Sequence, residues 1–291
     1  MYEIQTYLGA DGLMHCTVCK EPVEAFYPKG SLLEMRKHHR QCACERKAYA
    51  EEAQYYKEKE HRELIARNKK ICFEEKEMEG FTFQNVERDS GVIRIAEEYV
   101  TNWQKMKQNH MGYLFWGPVG TGKSYLAACI ANALLEKEVT VKMTNFNTIL
   151  NDLFAAEDKT EYIKSLNGYE LLIIDDLGVE RSSEYALENI FSVIDWRYRS
   201  GKPLIITTNL PLAQLKQETK IEKKRIYDRI LERCIPVKID GVSRREAMAN
   251  DNMQTMKNIL KIWDYFRRNF HSNGQRVSRE EVETSPWRKE N

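Results

Sequence analysis

No run of about 18 consecutive apolar residues occurs in this 291-residue chain, so nothing in it reads as a membrane-spanning helix. Residues 1–12 do not combine a basic start with an apolar stretch, and no secretory leader is expected. An excess of either charge is also missing. Against 45 basic residues stand 44 acidic ones, and a net charge of +1 supplies no global field to draw in nucleic acid or a membrane surface. Any polyanion contact must therefore come from a local patch. Seven cysteines without a leader argue against a disulfide framework and for free thiols or a metal site. The expectation is a cytoplasmic protein with no membrane partner, long enough for one large domain and a smaller appendage.

What is present centres on Gly117-Pro118-Val119-Gly120-Thr121-Gly122-Lys123-Ser124, which fits the phosphate-loop pattern G-x-x-x-x-G-K-S/T without a mismatch. The apolar run Tyr113–Trp116 precedes it, and a segment with helical apolar spacing begins at Tyr125. That strand, loop and helix context is what the chemistry needs. Glycines let backbone N–H groups converge on phosphates, and the helix N-terminus adds partial positive charge. Residues 117–125 are thus read as the nucleotide-binding segment, with Lys123 on the β- and γ-phosphates and the Ser124 hydroxyl on Mg2+.

The run Leu171-Leu172-Ile173-Ile174 ends in Asp175-Asp176, as suits a central parallel strand buried on both faces whose C-terminal tip carries ligands. Asp175 is expected to hold Mg2+ and Asp176 to polarise the attacking water. A further apolar strand ends in Thr207-Thr208-Asn209. Asn209 is the expected γ-phosphate sensor, with Thr208 as the alternate. Helices are expected over about 92–107, 146–156, 159–166, 184–199, 223–234 and from about 246 through about 263, and a last strand over 236–240. Phe81 and Phe83 are open to two readings, flanking an adenine base or packing into the core.

The N-terminal 45 residues hold Cys16-x-x-Cys19 and Cys42-x-Cys44. Two close pairs supply the four thiolates of a tetrahedral zinc site, and a segment with so little apolar content needs such a staple to fold. His38 and His39 stay open as substitutes for one thiolate. From 46 to 80 the chain is dense in Glu, Lys, Arg, Tyr and Ala, with no Gly or Pro before Gly80, and reads as a charged helical linker. The nucleotide-binding domain is placed at 81–262, and 263–291 is expected to be a flexible tail.

Taken in order, GPVGTGKS, LLIIDDLGVE, ITTN, DRILER and GVSRR resemble the AAA+ ATPases of the DnaC/DnaI helicase-loader and IstB transposition-helper group, over about Phe81 to Arg245. Asp-Asp-Leu-Gly at 175–178, where most AAA+ proteins carry Asp-Glu, is the most discriminating piece, and the cysteine-rich start resembles loaders of the DnaI type. The resemblance implies an α/β fold, an AAA+ P-loop ATPase with a parallel five-stranded sheet between helices, preceded by a small zinc-binding module and a helical linker. It also implies Arg229 as an arginine finger acting in a neighbouring subunit and Arg245 as a second sensor, with Arg233 and Arg244 as competing choices. The implied function is an ATP-dependent loader that binds the replicative hexameric DNA helicase and delivers it onto single-stranded DNA. Its cofactors would be ATP, Mg2+ and Zn2+, and self-assembly would run through the ATP site. A finger supplied in trans makes hydrolysis conditional on assembly, and Asp176, one methylene shorter than Glu, places the base less well, so slow, partner-gated turnover is expected. The alternative is an IstB-like helper of DNA transposition. An adaptor with a merely structural nucleotide site fits poorly with intact Lys123, Ser124, Asp175 and Asp176, and a small-molecule kinase fits poorly with a chain that offers no acceptor-binding lid.

Overall fold

The computed structural model describes residues 5–33, 36–85, 91–179, 183–241 and 243–260. The chain divides into two compact units, residues 1–67 and 68–291.

The first unit opens with two short antiparallel hairpins. Strand β1 (Thr6–Leu8) pairs with β2 (Met14–Cys16), and β3 (Glu24–Phe26) pairs with β4 (Lys37–His39). Their shared core is small: Cys16, Val23 and Cys42 are buried, with Met14, Cys19 and Cys44 packed against them. Helix α1 (Ala43–Cys72) follows without interruption. Its surface carries i, i+4 pairs such as Lys47 with Glu51 at 3.8 Å, the support a solvated helix needs when it buries little.

The linker expected over 46–80 is helical only to Cys72. Beyond Arg67 the chain belongs to the second unit, where Cys72 and Phe73 are buried in its core and Met78 packs against it. Two side chains hold this stretch. Asn132 Nδ2 donates to the Met78 and Phe81 carbonyls at 2.8 and 3.0 Å, and Glu74 accepts from the Thr144 and Thr148 hydroxyls at 2.8 and 3.0 Å. Phe81 and Phe83 pack against the same core, so of the two readings left open for them the structure supports core packing.

Where one helix was expected over 92–107 there are two, α2 (Gly91–Thr101) and α3 (Trp103–Gln108). The break falls at Asn102, whose amide donates back to the Glu98 carbonyl at 3.0 Å, a local bond that competes with regular helix. Strand β5 (Gly112–Trp116), α4 (Lys123–Leu135), β6 (Val141–Asn145), α5 (Phe146–Ala155), α6 (Lys159–Leu166) and β7 (Leu171–Leu177) come next. Then follow α7 (Glu184–Ser200), β8 (Leu204–Thr208), α8 (Leu212–Lys216), α9 (Ile221–Arg233), β9 (Cys234–Lys238) and α10 (Arg244–Leu260). The tail expected to be flexible, 263–291, lies outside the described residues.

The five strands form one sheet in the order β6-β7-β8-β5-β9, every neighbouring pair parallel. Strand β8 is thus inserted between the strand that leads into the phosphate loop and the strand that ends in two carboxylates. Alternating side chains feed two cores. Tyr113, Phe115, Leu171, Ile173 and Ile205 face α2 and α4, while Leu114, Leu172, Ile174, Leu204 and Ile206 face α5, α7 and α9. Helix α4 is buried almost all round, its largely apolar sequence broken by Asn132, which is itself buried and hydrogen-bonded. The last strand starts at Cys234 rather than Pro236, set by its pairing with Gly112, and tolerates Pro236 because β9 is an edge strand. Arg197, 1% exposed, donates to the carbonyls of Tyr169, Glu170 and Pro203 and so ties together the starts of β7 and β8. Burial pulls its guanidinium down to about 9.

Candidate nucleotide site and cysteine cluster

The loop between β5 and α4 takes the conformation its glycines allow. Gly117 sits at φ +147°, and a Cβ there would strike the Ile239 carbonyl oxygen. Gly122, at φ +93°, caps α4 in the left-handed region, which turns the first-turn N–H groups toward the loop interior. Lys123 is 5% exposed, and its ammonium donates to the Gly117 and Pro118 carbonyls at 3.0 and 2.7 Å, so it lies at the mouth of the loop. Burial lowers its pKa, Asp176 and Asp175 pull the other way, and Arg245 adds to the lowering. Arg245 on the first turn of α10 is thereby within electrostatic reach of the lysine, and Ser243 beside it lies against Gly120. The Arg244 side chain falls outside the described residues.

Tyr125, expected at the nucleotide, commits its side chain elsewhere. Its ring stacks on Phe81 with centroids 4.5 Å apart, and its hydroxyl donates to the Thr82 carbonyl at 3.1 Å. What it can offer a phosphate is the backbone of the first helical turn.

The two carboxylates sit on a bulge. Ile174 pairs with Ile206 and Leu177 with Thr208, so Asp175 and Asp176 together oppose the single residue Thr207. Asp176 pays for the bulge in conformation, at φ +54°, where a non-glycine residue costs of order 1 kcal/mol. Thr207 fills the gap in the ladder: its hydroxyl accepts from the Asp176 N–H at 2.9 Å and donates to Asp175 Oδ1 at 2.5 Å. Burial raises the Asp175 pKa, opposed by hydrogen bonds from Thr207 and Ser124. Ser124 and Asp175 are therefore in contact, and together they offer the hydroxyl and carboxylate oxygens that suit Mg2+. Asn209 Nδ2 approaches Asp176 Oδ1 at 3.4 Å. Thr208, the alternate sensor, is fully buried, donates to the Leu177 carbonyl at 2.7 Å and accepts from the Leu210 N–H, so its hydroxyl serves the backbone. Lys123, Ser124, Asp175, Asp176, Asn209 and Arg245 are thus gathered on the C-terminal side of the sheet. Beside the carboxylates opens a cleft of about 390 Å³ lined by Asn145, Asn147, Thr148, Asn151 and Glu75, residues that no motif flagged.

Arg229 stands apart from this group. It pairs with Asp195 of α7 at 2.7 Å, its guanidinium lies over the rings of Phe191 and Tyr198, and only 24% of its side chain is exposed. Arg233 stacks on Tyr198. An Arg229 that serves another subunit must first exchange Asp195 for a new partner.

In the first unit the four expected sulfurs, of Cys16, Cys19, Cys42 and Cys44, come together with all Sγ atoms within 4.8 Å of one another. Four thiolates around one ion at ~2.3 Å would lie about 3.8 Å apart, so the donor set fits a tetrahedral metal with little rearrangement. The turn after Cys16 is a metal-knuckle shape, with the Lys20 N–H on the Cys16 carbonyl and Lys20 itself at φ +63°. Backbone N–H groups of Glu21 and Cys44 aim at the Cys19 sulfur and hold its thiol down at about 6. His39 pairs with Glu45 at 3.1 Å and His38 contacts the His39 carbonyl, so the two histidines left open as ligands are occupied outside the sulfur cluster.

Residues 48–251 match the family described as IstB-like ATP binding protein. The chain belongs to this family. Its α/β sheet of five parallel strands with a phosphate loop is the AAA+ arrangement expected. Among curated relatives, the replicative helicase loader DnaC of Escherichia coli (strain K12) is 29% identical over 149 residues, covering 50% of this chain and 58% of that protein. The replicative helicase loader DnaI of Bacillus subtilis (strain 168) is 24% identical over 192 residues, covering 60% and 62%. The IstB-like chain thus spans about three fifths of the length of these relatives. A crystal structure of DnaI superposes with a TM-score of 0.52 at 25% identity, covering 61% of this chain and 99% of that one. Among the described residues no helix is long and apolar enough to cross a membrane.

Proposed function

We propose that this IstB-family protein is an ATP-dependent loader that binds the replicative hexameric DNA helicase and delivers it onto single-stranded DNA, hydrolysing ATP slowly and under control of its partners. The observation that carries the reading is the joining, in one chain, of an ATPase site built on Asp175-Asp176 to a four-cysteine module. In this reading residues 117–124 cradle the phosphates, with Lys123 exchanging the Gly117 and Pro118 carbonyls for β- and γ-phosphate oxygens. Ser124 and Asp175 hold Mg2+, which neutralises phosphate charge. Asp176 accepts the proton of the attacking water, and Asn209 orients that water against the γ-phosphate. Arg245 contacts the same phosphate from α10. Arg229, released from Asp195, completes the site of the neighbouring subunit, and the need to break that pair is one source of slow turnover in the isolated chain.

Cys16, Cys19, Cys42 and Cys44 hold Zn2+, and the module they staple grips the helicase together with α1. The names of the two curated relatives support a loader over an IstB-like transposition helper, as does the cysteine module. The test is co-purification with the host's hexameric replicative helicase, with and without ATP. A stable complex is expected. Absence of that complex, combined with ATP-dependent filaments on duplex DNA, would establish the transposition helper instead.

A further inference from the structure

We infer that Thr207 is the positioning residue that makes two adjacent aspartates into one working pair, setting the metal-binding oxygen of Asp175 and the direction of Asp176 with a single hydroxyl. The inference rests on reading the site as that of an ATPase and adds to it a residue no motif assigns.

In a regular strand, side chains alternate between faces, so Asp175 and Asp176 would point to opposite sides of the sheet and only one could serve the phosphate loop. The bulge removes that alternation. Two residues of β7 stand opposite Thr207 alone, and Asp176 is swung into the left-handed region. A bulge leaves one ladder group without its backbone partner, and here it is the Asp176 N–H. Thr207 supplies the missing acceptor at 2.9 Å, and its proton, committed by that geometry, goes to Asp175 Oδ1 at 2.5 Å. The hydroxyl is thereby saturated in the sense that matters: its one proton and one lone pair bind the two acids. Thr207 is fully buried, so water cannot stand in for it. It also lies in the strand that leads directly to Asn209, whose amide reaches Asp176. Bulge, metal ligand, base and sensor are therefore locked through one side chain contributed by the neighbouring strand.

Valine is the isosteric test, since it keeps the volume and the β-branch and removes only the hydroxyl. Thr207→Val leaves the Asp176 N–H unpaired and leaves the Asp175 carboxylate with the Ser124 hydrogen bond alone. Two readouts separate positioning from folding: Mn2+ affinity of the protein–nucleotide complex by electron paramagnetic resonance, and binding of a fluorescent ATP analogue with the metal chelated by EDTA. Metal affinity and kcat should each fall about 10- to 100-fold, the range for lost outer-shell support, while metal-free nucleotide affinity stays within about twofold. Thr207→Ser restores the hydroxyl and should recover most of both losses. Should Thr207→Val fail to fold, Thr207→Ala makes the same chemical deletion with less bulk. The inference is overturned if a folded hydroxyl-free variant keeps wild-type metal affinity and kcat, or if Thr207→Ser is as defective as Thr207→Val. A wild-type protein that binds nucleotide but hydrolyses none under any condition would instead refute the ATPase reading on which the inference stands.

Discussion

The two units of this chain solve the same problem, holding charged chemistry in place, by opposite means. In residues 68–291 a sheet of five parallel strands is covered on both faces by apolar side chains, and the charged residues of the site sit at the C-terminal edge of that frame. In residues 1–67 the shared core of the hairpins amounts to Cys16, Val23 and Cys42, and the sulfurs are themselves the frame. One region carries its charged residues on an apolar frame, whereas in the other the cysteine sulfurs make up much of the small core they share. A domain that buries so little cannot offset the entropy of ordering its hairpins without a cross-link.

The largest effect should come from breaking that contrast at the metal. Chelation with a strong Zn2+ ligand, or Cys42→Ser, should unfold the hairpins, because apparent binding energies of about 10–16 kcal/mol for structural zinc amount to the folding energy of such modules. Nucleotide binding by the second unit should be unchanged. Limited proteolysis, together with titration of a fluorescent ATP analogue, reads both outcomes in one sample. Equal loss of both activities, or survival of both, would erase the distinction.

A smaller effect sharpens the other side. Burial raises the Asp175 pKa, so its ionised form weakens the fold at neutral pH. Asp175→Asn should therefore raise the melting temperature of the metal-free protein at neutral pH. The gain must shrink as pH falls, because below its raised pKa the wild-type carboxyl is protonated and the difference in charge disappears. The same substitution should abolish hydrolysis. Scanning calorimetry across pH checks the sign: a gain that persists unchanged in acid would show that the buried charge is not its origin.

Most of the phosphate-loop unit was legible because its signals are local. Gly117 to Ser124 and the apolar run ending in Asp175-Asp176 place a loop and a strand tip by residue type and neighbours alone, and the inserted strand that leads to Asn209 falls where that frame requires it. What escaped depends on pairing across the fold. Thr207 looks like plain strand-end chemistry until the bulge opposite it is seen, and nothing in the sequence marks a bulge without glycine. The early start of β9 is dictated by Gly112, 122 positions upstream of Cys234. The anchoring of Arg229 by Asp195 joins two helices separated by a strand and a short helix, and at sequence level it is one arginine among several. Asn102, by contrast, broke a helix through a bond to Glu98 only four residues away, a competition that apolar periodicity does not register. In the first unit the spacing of four cysteines foretold the cluster, while the hairpins around it left almost no hydrophobic trace.

The claim that joins the two units is that ATP bound by one governs what the other delivers. The most direct measurement is helicase loading onto circular single-stranded DNA coated with its binding protein, followed by unwinding of an annealed strand, with wild-type protein and with Lys123→Ala. ATP-dependent unwinding is expected with wild type and none above the helicase-alone level with Lys123→Ala, although that variant should still capture the helicase through its cysteine module. Wild-type protein that binds the helicase yet never increases unwinding, or a Lys123→Ala variant that loads as well as wild type, would contradict it.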